Sequence, residues 1–512
     1  MDSLRDQHVL ILGLGASGLA MACWCARNGA RVSVLDTRAA PPQAAALQTE
    51  VPQARLLHGS FSADAVQGTD IRAVFMSPGL APADTAPLVD AARNLGLWVG
   101  GELSLFAQAL ADLRTQSAYA PCVLAITGTN GKTTVTALTG QLIARAGKSV
   151  AVAGNIGPTL LDTLAQALDA QALPEVWVLE LSSFQLHSSG QFEPTAAVVL
   201  NLSQDHLDWH SGMDDYAAAK ARIFGSHAAM VLNRDDDAVM RMAPAPEAKV
   251  KTRPGTPKEA PSPARTLLSF GSDLPTRVGD LGLEDVNGLT WLVRAVDSGE
   301  KARRGEAQGI LIQRLMPADA LRIRGRHNAT NALAALALVT LADCALAPVL
   351  YGLREYRGEP HRMQSVAVIE GVEFFDDSKG TNVGATVAAL TGLGAERRLV
   401  VILGGDGKGQ DFAPLVAPLA AHARAVVLIG RDAGLIRNAI AQTATLQILA
   451  ADSLPQAVEL AAQQARSGDA VLLSPSCASF DMFDDYAHRA RVFVESVAAL
   501  AQRSGTLLEA TA

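Results

Sequence analysis

The sequence predicts an α/β protein of three units in series, and three observations carry that expectation. The chain has 512 residues, too many for one ordinary domain. Short apolar runs alternate with helix-length segments through the first hundred residues, again from Cys122, and again after Arg357-Gly358-Glu359-Pro360. In each series a strand-like run feeds a polar or glycine-bearing loop, the rhythm of parallel sheets with crossover helices.

Composition narrows the class. Apolar residues make up 49% and charged residues only 18%, so large cores can form. Aromatics are scarce at 4%, which suits tightly packed layers rich in alanine and glycine. A net charge of −8 argues against a nucleic-acid or anionic-membrane partner. The five cysteines (23, 25, 122, 344 and 477) lack metal-site spacing and read as reduced, mostly buried thiols. The first residues lack the basic start and apolar core of a signal peptide. The stretch 329–350 is interrupted by Asn331 and Asp343, so it reads as core helix and no membrane insertion is expected.

In the first unit, residues 8–13 form a strand, 17–28 a helix, 31–36 a second strand and 73–77 a third. Gly13-Leu14-Gly15-Ala16-Ser17-Gly18 joins the first strand to its helix, and Asp36 ends the next. Alone, this is a dinucleotide-binding fingerprint, with diphosphate at the helix N-terminus and Asp36 on a ribose. A nicotinamide-dependent oxidoreductase is therefore one reading. The same geometry also serves a nucleotide-sugar, or merely lets helix and strand pack closely.

The second unit opens on the most informative segment, Ala125-Ile126-Thr127-Gly128-Thr129-Asn130-Gly131-Lys132-Thr133-Thr134. An apolar strand precedes it and a helix over 135–144 follows. Strand, glycine loop and helix make a phosphate cradle, in which backbone N–H groups face the phosphates. Lys132 neutralises charge there and Thr133 can ligate Mg²⁺. The general pattern places a glycine five residues before Gly131, where this chain has Ile126. Further strands are expected at 149–153, 176–181 and 196–202.

Glu180 stands in the apolar strand Val178-Leu179-Glu180-Leu181. A buried glutamate needs a partner, and beside a phosphate loop Mg²⁺ is the natural one; an exposed edge-strand position is the alternative. Asp205-His206-Leu207-Asp208-Trp209-His210 is dense enough in ligands to raise a zinc hydrolase, but no second group has matching spacing. A second Mg²⁺ site or a surface turn are the other readings. Lys220, within a helical stretch, reads as an ordinary solvated lysine. The region 241–265, with prolines at 244, 246, 254, 257, 261 and 263, reads as a loop or insertion, and 299–308 as a loop between antiparallel strands. Gly325-Arg326-His327-Asn328-Ala329-Thr330-Asn331 enters a helix over 332–342, with its asparagines as caps or as contacts to a base or phosphate.

The third unit has strands at 372–376, 398–403, 425–429 and 470–473. Polar loops follow three of them: Asp376-Asp377-Ser378-Lys379-Gly380-Thr381-Asn382, Gly404-Gly405-Asp406-Gly407-Lys408, and Ser474-Pro475-Ser476-Cys477-Ala478-Ser479-Phe480-Asp481. Ligand groups of open α/β sheets sit at strand ends, so one shared crevice is expected. Three sheets of similar size complete the expectation.

With these loops in order, the chain resembles the Mur ligase family over nearly its whole length. The resemblance implies a Rossmann-like UDP-sugar-binding domain (1–100), a central P-loop ATPase-like α/β domain (101–357) and a C-terminal Rossmann-like domain for the incoming amino acid (358–512). It implies an ATP- and Mg²⁺-dependent amide ligase of cytoplasmic peptidoglycan precursor synthesis. The branch marked by Leu35-Asp36-Thr37-Arg38, the Lys379 loop and the Ser479 loop adds D-glutamate to UDP-N-acetylmuramoyl-L-alanine through an acyl phosphate. By the same resemblance Lys132, Glu180, His206 and Lys220 are catalytic. ATP falls to Gly128, Thr129, Asn130, Gly131, Lys132, Thr133, Thr134, Asn328, Asn331, Arg362 and Asp377. The UDP substrate falls to Gly15, Ser17, Asp36, Thr37, Arg38, Ser77 and Asn155, and D-glutamate to His361, Lys379, Thr381, Lys408, Ser479 and Phe480. Mg²⁺ would take Thr133, Glu180, His206 and Lys220, the last as a carbamate. A monomer is expected. Phe480 and Tyr486 stand where the family pattern leads to leucine and phenylalanine, and Gly380 replaces a commoner alanine.

Overall fold

A computed structural model describes residues 3–207, 209–244, 265–299, 309–441 and 446–505. Most of the proline-rich stretch, most of the 299–308 loop, and Asp208 lie outside the described residues.

The chain forms three sheets of mostly parallel strands, each flanked by helices. In the first, His8–Leu12 lies at the centre between Arg31–Asp36 and Ile71–Met76, with Arg55–His58 and Trp98–Gly101 outside; all pairings are parallel. The middle sheet has nine strands, with Cys122–Thr127 between Val176–Glu180 and Ala196–Val199. The third has six, five of them parallel, with Gln364–Ile369 added antiparallel at one edge.

The sheets are therefore not of similar size. The middle one grows because Leu281–Val286, Leu289–Asp297 and Ile310–Pro317 extend it as an antiparallel meander. Their alternation of exposed and buried residues shows one wet face, whereas Val176–Glu180 is buried throughout. Each buried strand ends where its loop turns polar, so the strand ends carry the site.

Helix starts differ from the sequence reading in an informative way. The helix after the phosphate loop is Lys132–Arg145, three residues longer at its N-terminus than its apolar pattern indicates. Gly131 caps it with φ +83°, and a Cβ there would lie 2.8 Å from Asn331 Oδ1. Likewise the later helix is Arg326–Leu341, capped by Gly325, and a separate helix, Leu346–Glu355, follows it. Among the described residues no helix is long and apolar enough to cross a membrane.

Candidate functional site

The phosphate loop is held from below by Asn201, at the end of a neighbouring strand. Thr129 N–H donates to Asn201 O (2.9 Å), Asn130 N–H to Asn201 Oδ1 (2.8 Å), and Asn201 Nδ2 to Asn130 O (3.1 Å). Ile126 explains the missing first glycine. It is fully buried in the strand, beside Glu180 and Val198, so the turn begins only at Gly128 and no glycine is needed earlier.

Two lysines converge on this loop without a carboxylate in hydrogen-bond contact among the described residues. Lys132 Nζ donates to Gly128 O (3.0 Å) and Thr129 O (2.8 Å). Lys220, expected in solvent, is only 2% exposed; its Nζ donates to Gly128 O (2.9 Å) and Thr127 Oγ1 (3.3 Å) and lies 4.6 Å from the Tyr216 ring centroid. The helix Met213–Ala221 folds this face inward because Tyr216 and Ala219 are core residues. Burial pushes both amines below the usual lysine range, Lys220 far below it.

Opposite them, Glu180 is 1% exposed and ends a central strand, which rules out the edge-strand alternative. Its Oε1 accepts from Asn155 Nδ2 (2.9 Å), while Oε2 is buried with no hydrogen-bond partner. An orphaned anionic oxygen beside a phosphate cradle is suited to a hard cation. His206 reaches the same crevice, with its Nε2 3.6 Å from Asp205 Oδ2, and burial lowers its pKa. His210 turns away to bond Ser183 (2.9 Å) and Asp215 (3.3 Å). Among the described residues no cluster of three or more His, Cys, Asp or Glu could hold a metal. Mg²⁺ retains waters and phosphate oxygens and needs few protein ligands.

The crevice, about 310 Å³, is closed on its far side by the third unit through Arg362, Lys379, Thr381, Asn382, Lys408 and Gln410. Arg362 Nη2 donates to Thr133 Oγ1 (2.7 Å), so it already touches the phosphate-loop hydroxyl. Lys379 Nζ rests 3.8 Å from the Tyr486 ring centroid, and burial brings its pKa down to about 8. His361 does not line the crevice; its Nδ1 pairs with buried Asp376 (2.7 Å), and its carbonyl accepts from Lys379 N (3.2 Å). Ser479 and Phe480 also stand outside it, Ser479 buried and Phe480 68% exposed. The Ser474 loop thus buttresses from behind: Ser474 Oγ donates to Asp377 Oδ2 (2.7 Å), and Ala478 pairs with Asp406.

A second compartment of about 220 Å³ adjoins the first and collects Asn328, Asn331, Arg362 and Asp377. The asparagines are not caps. Asn328 Nδ2 donates back to Arg324 O (2.8 Å), and Asn331 Nδ2 to Asn328 Oδ1 (3.1 Å), inside the first turns of the helix. Burial raises the Asp377 carboxyl to about 7. Half-buried His327 lines the same space with its buried Nδ1 unpartnered. Asn201, Asn382, Gln410 and His327 carry no sequence-level assignment. A polar residue directly after a strand that borders the phosphate-loop strand was the available signal for Asn201; the other three depend on contacts between distant segments.

The first glycine loop is built differently. Gly15 caps the helix Ala16–Arg27 and Ser17 lies in its first turn. A Cβ on Gly18 would stand 2.1 Å from Gly13 O, so that glycine serves close packing. Asp36 Oδ2 accepts from Leu14 N (2.7 Å), and both its oxygens bind the Arg38 guanidinium (2.9 and 2.7 Å). Ser77 Oγ donates to Gly13 O (2.8 Å). Thr37 follows Asp36 at the same strand end and is exposed.

Comparison with known proteins bears on the whole chain. Family models match in succession: the Mur ligase MurD-like N-terminal domain at residues 7–101, the Mur ligase middle domain at 126–265, and the Mur ligase glutamate ligase domain at 361–477. A UDP-N-acetylmuramoylalanine–D-glutamate ligase of Albidiferax ferrireducens is 63% identical, covering 100% of both chains. Another of Polaromonas sp. is 56% identical over 99% of this chain and 100% of its own. Among solved structures, MurF from Acinetobacter baumannii superposes with a TM-score of 0.55 at 17% identity (96% of this chain, 92% of that one). MurC from Thermotoga maritima gives 0.53 at 19% identity (96% and 99%). At such identities these likenesses speak for the fold.

Proposed function

The chain belongs to the Mur ligase family, and on that premise we propose that it adds D-glutamate to UDP-N-acetylmuramoyl-L-alanine at the expense of ATP. The observation that carries the reading is the crevice itself. Half-buried Lys132 and the orphaned Glu180 oxygen share one cavity with Lys379 and Lys408, and buried Lys220 holds the phosphate loop that walls it.

A carboxylate is a poor acylating agent, so the reaction needs a leaving group. A substrate carboxylate oxygen attacks the terminal phosphorus of ATP and ADP departs, leaving an acyl phosphate. The D-glutamate amine then attacks the acyl carbon, and inorganic phosphate leaves as the amide forms. Positioning and charge neutralisation do most of this work. Lys132 and Arg362 meet phosphate oxygens, while Lys379 and Lys408 fit an amino acid bearing two carboxylates. Asn328, Asn331 and Asp377 line the compartment assigned to the rest of ATP. Asn155, fixed by Glu180, stands where the muramoyl end would approach. Gly15, Ser17, Thr37, Arg38 and Ser77 would hold the uridine diphosphate end, with Asp36 orienting Leu14 N–H and Arg38. We assign His361, Thr381, Ser479 and Phe480 to the D-glutamate side, His361, Ser479 and Phe480 as its outer support.

Mg²⁺ would be held by Thr133, Glu180 and His206, and it would supply a positive charge to phosphate oxygens. Lys220 fits the carbamate role chemically. A buried amine held neutral can add CO₂ with loss of a proton, which converts a neutral group beside the phosphate loop into an anionic ligand. By the same family reading it acts in the cytoplasm as a monomer, on ATP and a nucleotide-sugar.

A nicotinamide-dependent reading is disfavoured because Asp36 is fully engaged within its own loop. The deciding assay is phosphate release with ATP, Mg²⁺ and UDP-N-acetylmuramoyl-L-alanine across a panel of amino acids. Release only with D-glutamate is expected. Equal release with L-lysine or L-alanine would move the chain to another branch of the family.

A further inference from the structure

One side chain ties the amino-acid loop of the third unit directly to the phosphate loop of the middle unit. Asn382 is 5% exposed and directly follows the loop 379–381. Its Nδ2 donates to Asn130 Oδ1 (3.0 Å), and Asn130 Nδ2 donates back to Asn382 Oδ1 (3.2 Å). The same Nδ2 lies 3.4 Å from Asp205 Oδ2, beside His206. Asn382 Oδ1 also caps the helix Val383–Gly394 through Ala385 N–H (2.9 Å).

A second observation comes from that helix's first turn. A Cβ on Gly384 would stand 2.5 Å from Ser203 Oγ and 3.3 Å from Asn130 Nδ2. The absence of a side chain at 384 is therefore what allows this turn to seat against the loops of the middle unit.

We propose that Asn382, seated by Gly384, is a positioning residue that registers the amino-acid loop on the phosphate loop through its paired amides with Asn130. This deepens the ligase reading and rests on it. Acyl phosphate is generated over Asn130 and Lys132, while the attacking amine is to be delivered by residues 379–381. The paired amides fix the distance between the two with short, uncharged contacts. Long lysine side chains alone would leave that distance loose.

Asn382→Asp separates registration from helix capping. Aspartate caps as well as asparagine but cannot donate to Asn130, and it faces Asp205. The expected result is a folded protein of somewhat lower Tm with KM for D-glutamate raised about tenfold or more, while KM for the UDP substrate moves less than about twofold. Gly384→Ala should show the same split. In Asn130→Ala/Asn382→Ala the losses should fall short of the product of the single losses, as for groups acting together. Hydrogen exchange at the amides of residues 129–131, which requires no substrate, should quicken in Asn382→Asp. Wild-type KM values together with unchanged exchange in Asn382→Asp would overturn the proposal. Quickened exchange in a protein whose parent does not ligate D-glutamate would instead sink the substrate reading and leave the registration standing.

Discussion

The two glycine loops, at Gly13 and Gly128, share strand, turn and helix N-terminus, yet differ in where their charges go. In the first, Asp36 binds Leu14 N–H and Arg38, and Ser77 binds Gly13 O, so its polar groups are largely satisfied within the unit. In the second, half-buried Lys132 and buried Lys220 are held by carbonyls and a hydroxyl, and Glu180 Oε2 has no partner. Glycine geometry makes a place for an anion in both. Only the second keeps ionisable side chains with no countercharge in hydrogen-bond contact among the described residues, and such preorganised groups are what catalysis requires.

Substitutions that separate these two kinds of loop should have effects of graded size. Lys132→Ala should lower phosphate release by about 10²–10³-fold with the circular dichroism spectrum unchanged; near-normal turnover would erase the distinction between the loops. Lys220→Ala should lose a similar or slightly smaller factor and, with the carbamate absent, regain activity in formate or acetate. Turnover insensitive to those anions, in a parent insensitive to bicarbonate, would leave Lys220 an ordinary buried lysine.

In the first loop, Asp36→Asn should act on stability and on UDP-substrate affinity, costing about 1–3 kcal/mol by urea unfolding near neutral pH. Its partners hold the carboxyl below the usual range, chiefly through the Arg38 side chain. The stabilisation is therefore present above the unfolded value of 3.8 and lost as pH falls through the folded one. The gap between parent and variant should close in acid. A gap that widened there would mean Asp36 is not held by Arg38.

Asp377 has the opposite sign. Burial raises its carboxyl from 3.8 to about 7, so its contribution is complete below the unfolded value and disappears as pH rises through about 7. Asp377→Asn should flatten the fall of Tm between those limits. An unchanged Tm profile would place the ionised form in the folded protein.

Much of this was legible in the residues. The parallel rhythm, the loop at 128–134, the place of Glu180 in an apolar strand and the strand-end loops of Asp377 and Lys408 follow from periodicity and glycine placement, which are local properties. Lys220 was not legible, because a lysine in an alanine-rich helix carries no mark of which face its helix buries. The caps at Gly131 and Gly325 were displaced from the pattern because polar first turns hide helix starts that backbone φ reveals. The Ser474 loop reads as a third wall of the crevice, whereas it braces Asp377 from behind.

The sequence by itself determined the class of fold, the family and the loops that carry charge, since strand alternation, glycine turns and motif order are written along the chain. Tertiary structure alone decided which charges remain unsatisfied and which loops touch. The Glu180 orphan, the inward Lys220 and the pairing of Asn130 with Asn382 depend on burial and on distances between residues far apart in sequence, which no local pattern encodes.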